Sequence, residues 1–211
     1  LQESGADGLE LNIFNLPSDL NRSSEANEQV YFDIINEVSL QVDIPIFVKL
    51  SYYSSSLAAF LMKIAETGVD GLVLFNRFYN PDVDIDRLEV SSGGVLSTPG
   101  DIYQSMRWIA LLSGRTEKSL IATTGVHDAE GVVKQLLVGA DAVQIASTLY
   151  KNGVTYLETM VKELEEWMKK KGYSAISDFK GMLSYDNASD PAAYERVQFM
   201  KYFRGFPQKT S

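Results

Sequence analysis

A short pattern recurs three times along the chain and restricts its fold more than any other feature. Gly5-Ala6-Asp7-Gly8-Leu9-Glu10-Leu11-Asn12 returns as Gly68-Val69-Asp70-Gly71-Leu72-Val73-Leu74-Phe75-Asn76, and again as Gly139-Ala140-Asp141-Ala142-Val143-Gln144-Ile145-Ala146-Ser147. In each copy a glycine suited to a helix end precedes an Asp turn, and a short apolar run that reads as a buried strand follows. Two further apolar runs, 44–50 and 120–122, lie between the copies, so five strands are expected.

The intervals between strands carry apolar residues at helical spacing. Tyr31, Ile34, Ile35, Val38 and Val42 follow Ser24, and Leu57, Phe60, Leu61 and Ile64 run from Ser56 towards Gly68. Pro99 and Asp101 open a third helix with Ile102, Met106 and Ile109 on one face, stopped by Gly114. Asp128 caps a fourth with Val132, Val133, Leu136 and Leu137 clustered, and Gly139 ends it. A fifth covers 154–171, with Tyr156, Met160, Leu164 and Trp167 inward and Gly172 as its stop. Apolar strands alternating with amphipathic helices predict an α/β fold with a parallel sheet covered by helices, in a single domain over 1–211. Residues 77–99 break this rhythm. They read as an inserted loop or small hairpin built from 83–90 and 94–96, either functional or a surface decoration.

Two architectures share this pattern, the open doubly wound sheet and the closed (β/α)8 TIM barrel. Residues 119–151 separate them. They form a βαβ unit whose strand ends, Thr124-Gly125 and Ala146-Ser147, are small enough for a ligand to approach backbone N–H groups, a candidate phosphate cradle. Barrels place their phosphate site after their last two strands, and a full barrel takes about 250 residues. The barrel is therefore favoured, with this chain supplying strands four to eight and strands one to three missing. Unpaired edges at strands four and eight predict self-association, a homodimer among the outcomes.

Composition excludes several function classes. A net charge of −9 leaves no excess of Lys and Arg for a general nucleic-acid or anionic-membrane surface, and no apolar run approaches a membrane span. With no cysteine, disulfides, thiolate catalysis and Cys-ligated metal or Fe–S sites are excluded in this chain, which agrees with the cytoplasm. No metal-ligand cluster, nucleophile triad or Walker-type loop is present, and the single His127 reads as structural or solvated.

The residues that matter in a barrel stand at the C-terminal strand ends. Lys49, inside Ile46-Phe47-Val48-Lys49-Leu50, is a cation that must be paired or functional unless it reaches solvent from an edge. Asn12 and Asn76 occupy matched places in two copies of the repeat. Their amides suit a heterocycle with alternating N–H and C=O groups, or simply cap turns.

At these residues the chain resembles the dihydroorotate dehydrogenase family, class 1-like FMN flavoproteins built on a (β/α)8 barrel. The resemblance covers almost the whole chain, as the last two-thirds of a complete member. Leu11-Asn12-Ile13 resembles the family's Leu-Asn-Leu, Val48-Lys49-Leu50 its Val-Lys-Leu, and Phe75-Asn76 its pyrimidine-binding Asn. Ser92-Gly93-Gly94 resembles the Gly-Gly segment of the insertion after strand six, and 170–181 the closing helix segment. Thr124-Gly125 and Ala146-Ser147 resemble the pairs that hold the FMN phosphate. The resemblance implies FMN bound by Lys49, Gly93, Gly94, Thr124, Gly125, Ala146 and Ser147, with Lys49 also catalytic, at the flavin N1/O2 edge where it stabilises negative charge in the reduced ring. It also implies a dihydropyrimidine substrate oriented by Asn12 and Asn76, oxidised by hydride transfer to the flavin in pyrimidine nucleotide biosynthesis, with the electron acceptor unspecified.

Three positions depart from the family pattern. Asn15 stands where the family carries its Cys or Ser base, and an amide abstracts no proton at neutral pH. Pro17 replaces a second Asn. Arg77 replaces a Ser, either to bind a substrate carboxylate or to lie on the surface. FMN binding is thus better supported than dihydroorotate chemistry. Two alternatives stay open: a paralogue or fragment that binds FMN without turnover, and another phosphate-binding barrel enzyme.

Overall fold

The computed structural model describes residues 1–197. In chain order its principal elements are β1 (Leu9–Asn12), α1 (Ser24–Ser39), β2 (Ile46–Leu50), α2 (Leu57–Ala65) and β3 (Gly71–Leu74). A hairpin of β4 (Pro81–Asp84) and β5 (Glu89–Ser92) follows, then α3 (Ile102–Leu112), β6 (Ser119–Ala122) and α4 (Ala129–Val138). The described chain closes with β7 (Ala142–Val143), α5 (Ser147–Asn152), α6 (Tyr156–Lys171) and α7 (Ala192–Glu195).

The sheet is parallel and five-stranded, in the order β1-β2-β3-β6-β7. Each strand lies beside the next sheet strand in the chain, without the reversal of order that marks a doubly wound sheet. The repeated Asp explains part of this order. Asp70, before β3, accepts the Ile46 N–H of β2 at 2.8 Å, and Asp141, before β7, accepts the Leu120 N–H of β6 at 2.8 Å. Each carboxylate satisfies a backbone donor at the start of the preceding strand, which would otherwise be an unpaired polar group at the sheet margin.

The two faces of the sheet differ in chemistry. Ile46, Val48, Leu50, Leu72, Leu74, Leu120 and Ala122 point to one side, where Tyr31, Ile35, Phe60, Leu61, Ile64 and Ile109 of the helices complete the core. The opposite face carries the register row Asn12, Lys49, Val73, Ile121 and Ala142, with Glu10 and Phe47 one step earlier. Of these, Val73 and Ile121 are buried and the polar residues cluster at the strand ends.

Helix ends follow local chemistry. Asp128 accepts from the Gly131 N–H at 2.8 Å to start α4, and Gly139 ends it in the left-handed region at φ 113°. After α6, Asp178 takes the N–H groups of Ser174 and Ala175, and Phe179 is fully buried against Trp167 and Tyr173.

Some expectations need correction. β1 and β7 are not buried strands. Their residues are exposed or half-buried because they are the outer strands of the sheet, and the expected run 143–146 pairs only through Ala142–Val143. Beyond it the chain turns into α5, an unexpected short helix starting at Ser147. The hairpin pairs Val83 with Val90, and 94–96 takes no part in it. Trp167 is half-buried beside its aromatic neighbours. The sheet among the described residues is open, and the single domain expected over 1–211 includes 198–211, which lie outside them.

Candidate functional site

The five strands of the main sheet run the same way, so their C-terminal ends gather at one rim. A cleft of about 210 Å³ opens there, lined by Asn12, Lys49, Asn76, Arg77, Thr124, Gly125, Ala146 and Ser147, together with Val95, Ser97 and Gln144. Most of the singled-out residues are thus brought together. Gly93 and Gly94 are not among its lining residues. Asn15 lines a separate cleft of about 400 Å³ beside Tyr31, Tyr52 and Tyr53.

Lys49 sits at the floor with its side chain 19% exposed. Its ammonium donates to Glu10 Oε1 at 3.3 Å and to Gln144 Oε1 at 3.1 Å. Gln144 Nε2 in turn donates to Glu10 Oε2 at 2.5 Å. A cation inside a strand requires such partners, because desolvation without them is costly. Glu10 was within reach of sequence reasoning, since it lies two residues before Asn12 and on the same face of β1. Gln144 comes from the opposite margin of the sheet, and nothing local announces it.

Asn76 is buried, and its side-chain amide donates to Ile13 O at 3.1 Å and Lys49 O at 3.3 Å. It staples the ends of β1 and β2, which leaves its carbonyl oxygen as the group that can meet a ligand. Asn12 is exposed on the cleft wall.

The cradle is built from an unusual turn. Thr124 and Gly125 both have positive φ, 73° and 80°. Thr124 Oγ1 donates to Phe75 O at 3.0 Å, and a Cβ on Gly125 would lie 2.1 Å from the Ile102 nitrogen. Only glycine fits where this turn passes the start of α3. No described residue accepts from the backbone N–H of Thr124, Gly125 or Ser147. These donors and the nearby hydroxyls suit an anionic oxygen group, so the residues present fit a phosphate of the kind FMN carries.

The insertion is fastened to this rim at two points. Arg77 Nη1 donates to Val95 O at 2.8 Å and to Gly94 O at 3.3 Å, and its Nε lies 3.8 Å from Asp101 Oδ2. The guanidinium therefore anchors the insertion. Ser97 forms the second point: its N–H donates to Ser147 Oγ at 2.9 Å, and its carbonyl accepts from Lys151 Nζ at 2.9 Å. Its hydroxyl is 3.0 Å from His127 Nε2. Burial first, then the Lys151 charge, lowers the His127 pKa, so the ring is neutral at pH 7 and serves as a structural partner. Sequence reasoning singled out neither Ser97 nor Lys151.

Asn15 donates its amide to Asn27 O at 3.0 Å, against α1. Among the described residues, no group of acidic or His side chains is placed to hold a metal ion, and no helix is long and apolar enough to cross a membrane.

The family model described as dihydroorotate dehydrogenase matches residues 2–168. The catalytic subunit of dihydroorotate dehydrogenase B (NAD(+)) from Thermoplasma acidophilum is 29% identical over 187 residues, 86% of this chain and 61% of that protein. The corresponding subunit from Petrotoga mobilis is 23% identical over 188 residues, 87% of this chain and 62% of that protein. Dihydroorotate dehydrogenase A (fumarate) from Lactococcus lactis subsp. lactis is 41% identical over 69 residues, 33% of this chain and 22% of that protein. The chain spans about 61% of the length of the first of these relatives. Taken with the cleft at the strand ends, the match over 2–168 establishes that the chain belongs to the dihydroorotate dehydrogenase family.

Proposed function

We propose that this protein is an FMN-dependent oxidoreductase of the dihydroorotate dehydrogenase type, and that its sheet forms strands four to eight of a (β/α)8 barrel. The observation that carries the reading is the single cleft that joins a backbone-donor cradle at Thr124, Gly125 and Ser147 to a fixed cation at Lys49. The strand order without reversal and the core on one face support the barrel. In such a barrel Asp7, the first copy of the repeated Asp, would serve the strand beside β1 as Asp70 serves β2.

On this reading the cradle holds the FMN phosphate and Lys49 meets the polar edge of the flavin ring. FMN, when bound, supplies the hydride acceptor for a dihydropyrimidine. Asn12 and the Asn76 carbonyl orient the substrate, while Val95 and Ser97 of the insertion cover the cleft. The test is to purify the natural full-length protein and titrate it with FMN by fluorescence quenching. One FMN per chain is expected, and a protein that takes up none overturns the reading.

A second reading, FMN binding without dihydroorotate turnover, is favoured by Asn15. That side chain is no base, and its amide is committed to Asn27 O. Anaerobic bleaching of the bound flavin by dihydroorotate separates the two: bleaching supports the dehydrogenase and excludes the second reading.

A further inference from the structure

Lys49, Glu10 and Gln144 form a closed ring of hydrogen bonds between side chains that three separate segments bring together: β1, β2 and the turn after β7. An ammonium has three N–H donors. Glu10 and Gln144 take two of those of Lys49, and Gln144 also occupies the second oxygen of Glu10. Lys49 and Gln144 line the cleft, whereas Glu10 stands one step lower on β1 and is not among the lining residues.

We infer that Glu10 and Gln144 are positioning residues for Lys49. They hold its flexible four-carbon stem in one place and leave one N–H for a ligand at the cleft floor. The Glu10 carboxylate also balances the ammonium, so a ligand meets a directed donor on a neutralised pair and not a bare cation. Such a donor suits the carbonyl-bearing edge of a heterocycle. A phosphate is better served by the backbone donors of Thr124 and Gly125, which line the same cleft. The identity of that heterocycle rests on the FMN reading, whereas the fixing of Lys49 does not.

The experiment uses the full-length protein, first without flavin. Lysine acetylation by acetic anhydride is followed residue by residue by mass spectrometry in the wild type, Glu10→Gln and Gln144→Met. Acetylation of Lys49 is expected to rise about fivefold or more in each folded variant, as a charge-assisted bond is lost, with the exposed Lys162 as an unchanged internal reference. A Lys49 rate equal to that of the wild type in a folded variant overturns the proposal. If one variant does not fold, the other decides by the same criterion. If neither folds, the wild type decides: Lys49 must react about tenfold more slowly than Lys162, and equal rates overturn the proposal.

FMN affinity is measured next. A loss of about tenfold in each folded variant is expected, the equivalent of one good polar contact. Variants that lose thermal stability but bind FMN as tightly as the wild type show a structural role only and overturn the positioning role. A wild type that binds no FMN overturns the FMN reading alone, because the acetylation result stands without flavin.

Discussion

Glu10 on β1 and Gln144, just beyond β7, are hydrogen-bonded at 2.5 Å although their strands are the two margins of the sheet. In a flat sheet, four strand spacings would hold these margins about 19 Å apart, beyond the reach of two such side chains. The contact therefore measures how strongly the sheet curls, and it places the polar residues of both margins around Lys49. Right-handed crossovers in a strand order without reversal put the covering helices on one face, and the twisted sheet curls about its other face into a trough whose strand ends share a rim.

Gly125→Ala is expected to cost about 3 kcal/mol or more, because the new Cβ meets backbone at a site with positive φ. Thr124→Gly is expected to lie within about 1 kcal/mol of the wild type, since relief of backbone strain offsets the lost hydroxyl bond to Phe75 O. Urea unfolding of both variants checks the contrast.

Asp70→Ala and Asp141→Ala each leave a strand-initial N–H without its acceptor. Each is expected to cost about 1–3 kcal/mol, and the two costs to add, because they act on different strand pairs. Single and double variants in denaturant titrations test this.

The His127 pKa lies below its ordinary 6.5, owing first to burial and then to Lys151. The unfolded chain binds the proton more readily than the folded one. This contribution to stability is therefore complete above pH 6.5 and is lost as pH falls from there through the depressed value. Urea midpoints at pH 7.5, 6.5 and 5.5 should fall with pH, and His127→Asn should reduce the slope.

Arg77→Met removes the bonds to Gly94 O and Val95 O that anchor the insertion. Hydrogen exchange across 79–97 is expected to accelerate about tenfold while β2 and β3 stay protected, because only a local opening is made easier.

Asn15→Ala is expected to cost about 1 kcal/mol through the bond to Asn27 O and to leave FMN affinity unchanged. Loss of FMN binding in a folded Asn15→Ala protein would place this side chain in the cofactor site, contrary to the separate cleft it lines.

Much of the fold was legible along the chain because its signals are local. Asp128 and Gly139 mark the ends of α4 within one turn each, and Tyr31 and Ile35 mark the buried face of α1 by spacing alone. The outer strands were misread as buried, since Leu9-Glu10-Leu11-Asn12 and Ala142–Val143 differ from inner strands in their neighbours more than in their residues. The candidate site was legible as a set of strand ends but not as a network. Lys49 signalled its need for a partner by its charge, yet its sequence position did not name Gln144, 95 residues away.

Residue order therefore settled most of the strands and helices, with α5 and the extent of β7 as the exceptions, and that Asn12, Lys49, Asn76, Thr124 and Ser147 share one rim. Alternation and helix capping act over a few residues and leave their mark on the chain. The tertiary structure decided the use of each side chain: Arg77 as an anchor for the insertion, Asn15 turned to α1, Ser97 joined to His127 and Lys151, and Glu10 joined to Gln144. These contacts depend on sheet curl and on the path of a long insertion, both set by packing summed over the whole domain and written in no single stretch of sequence.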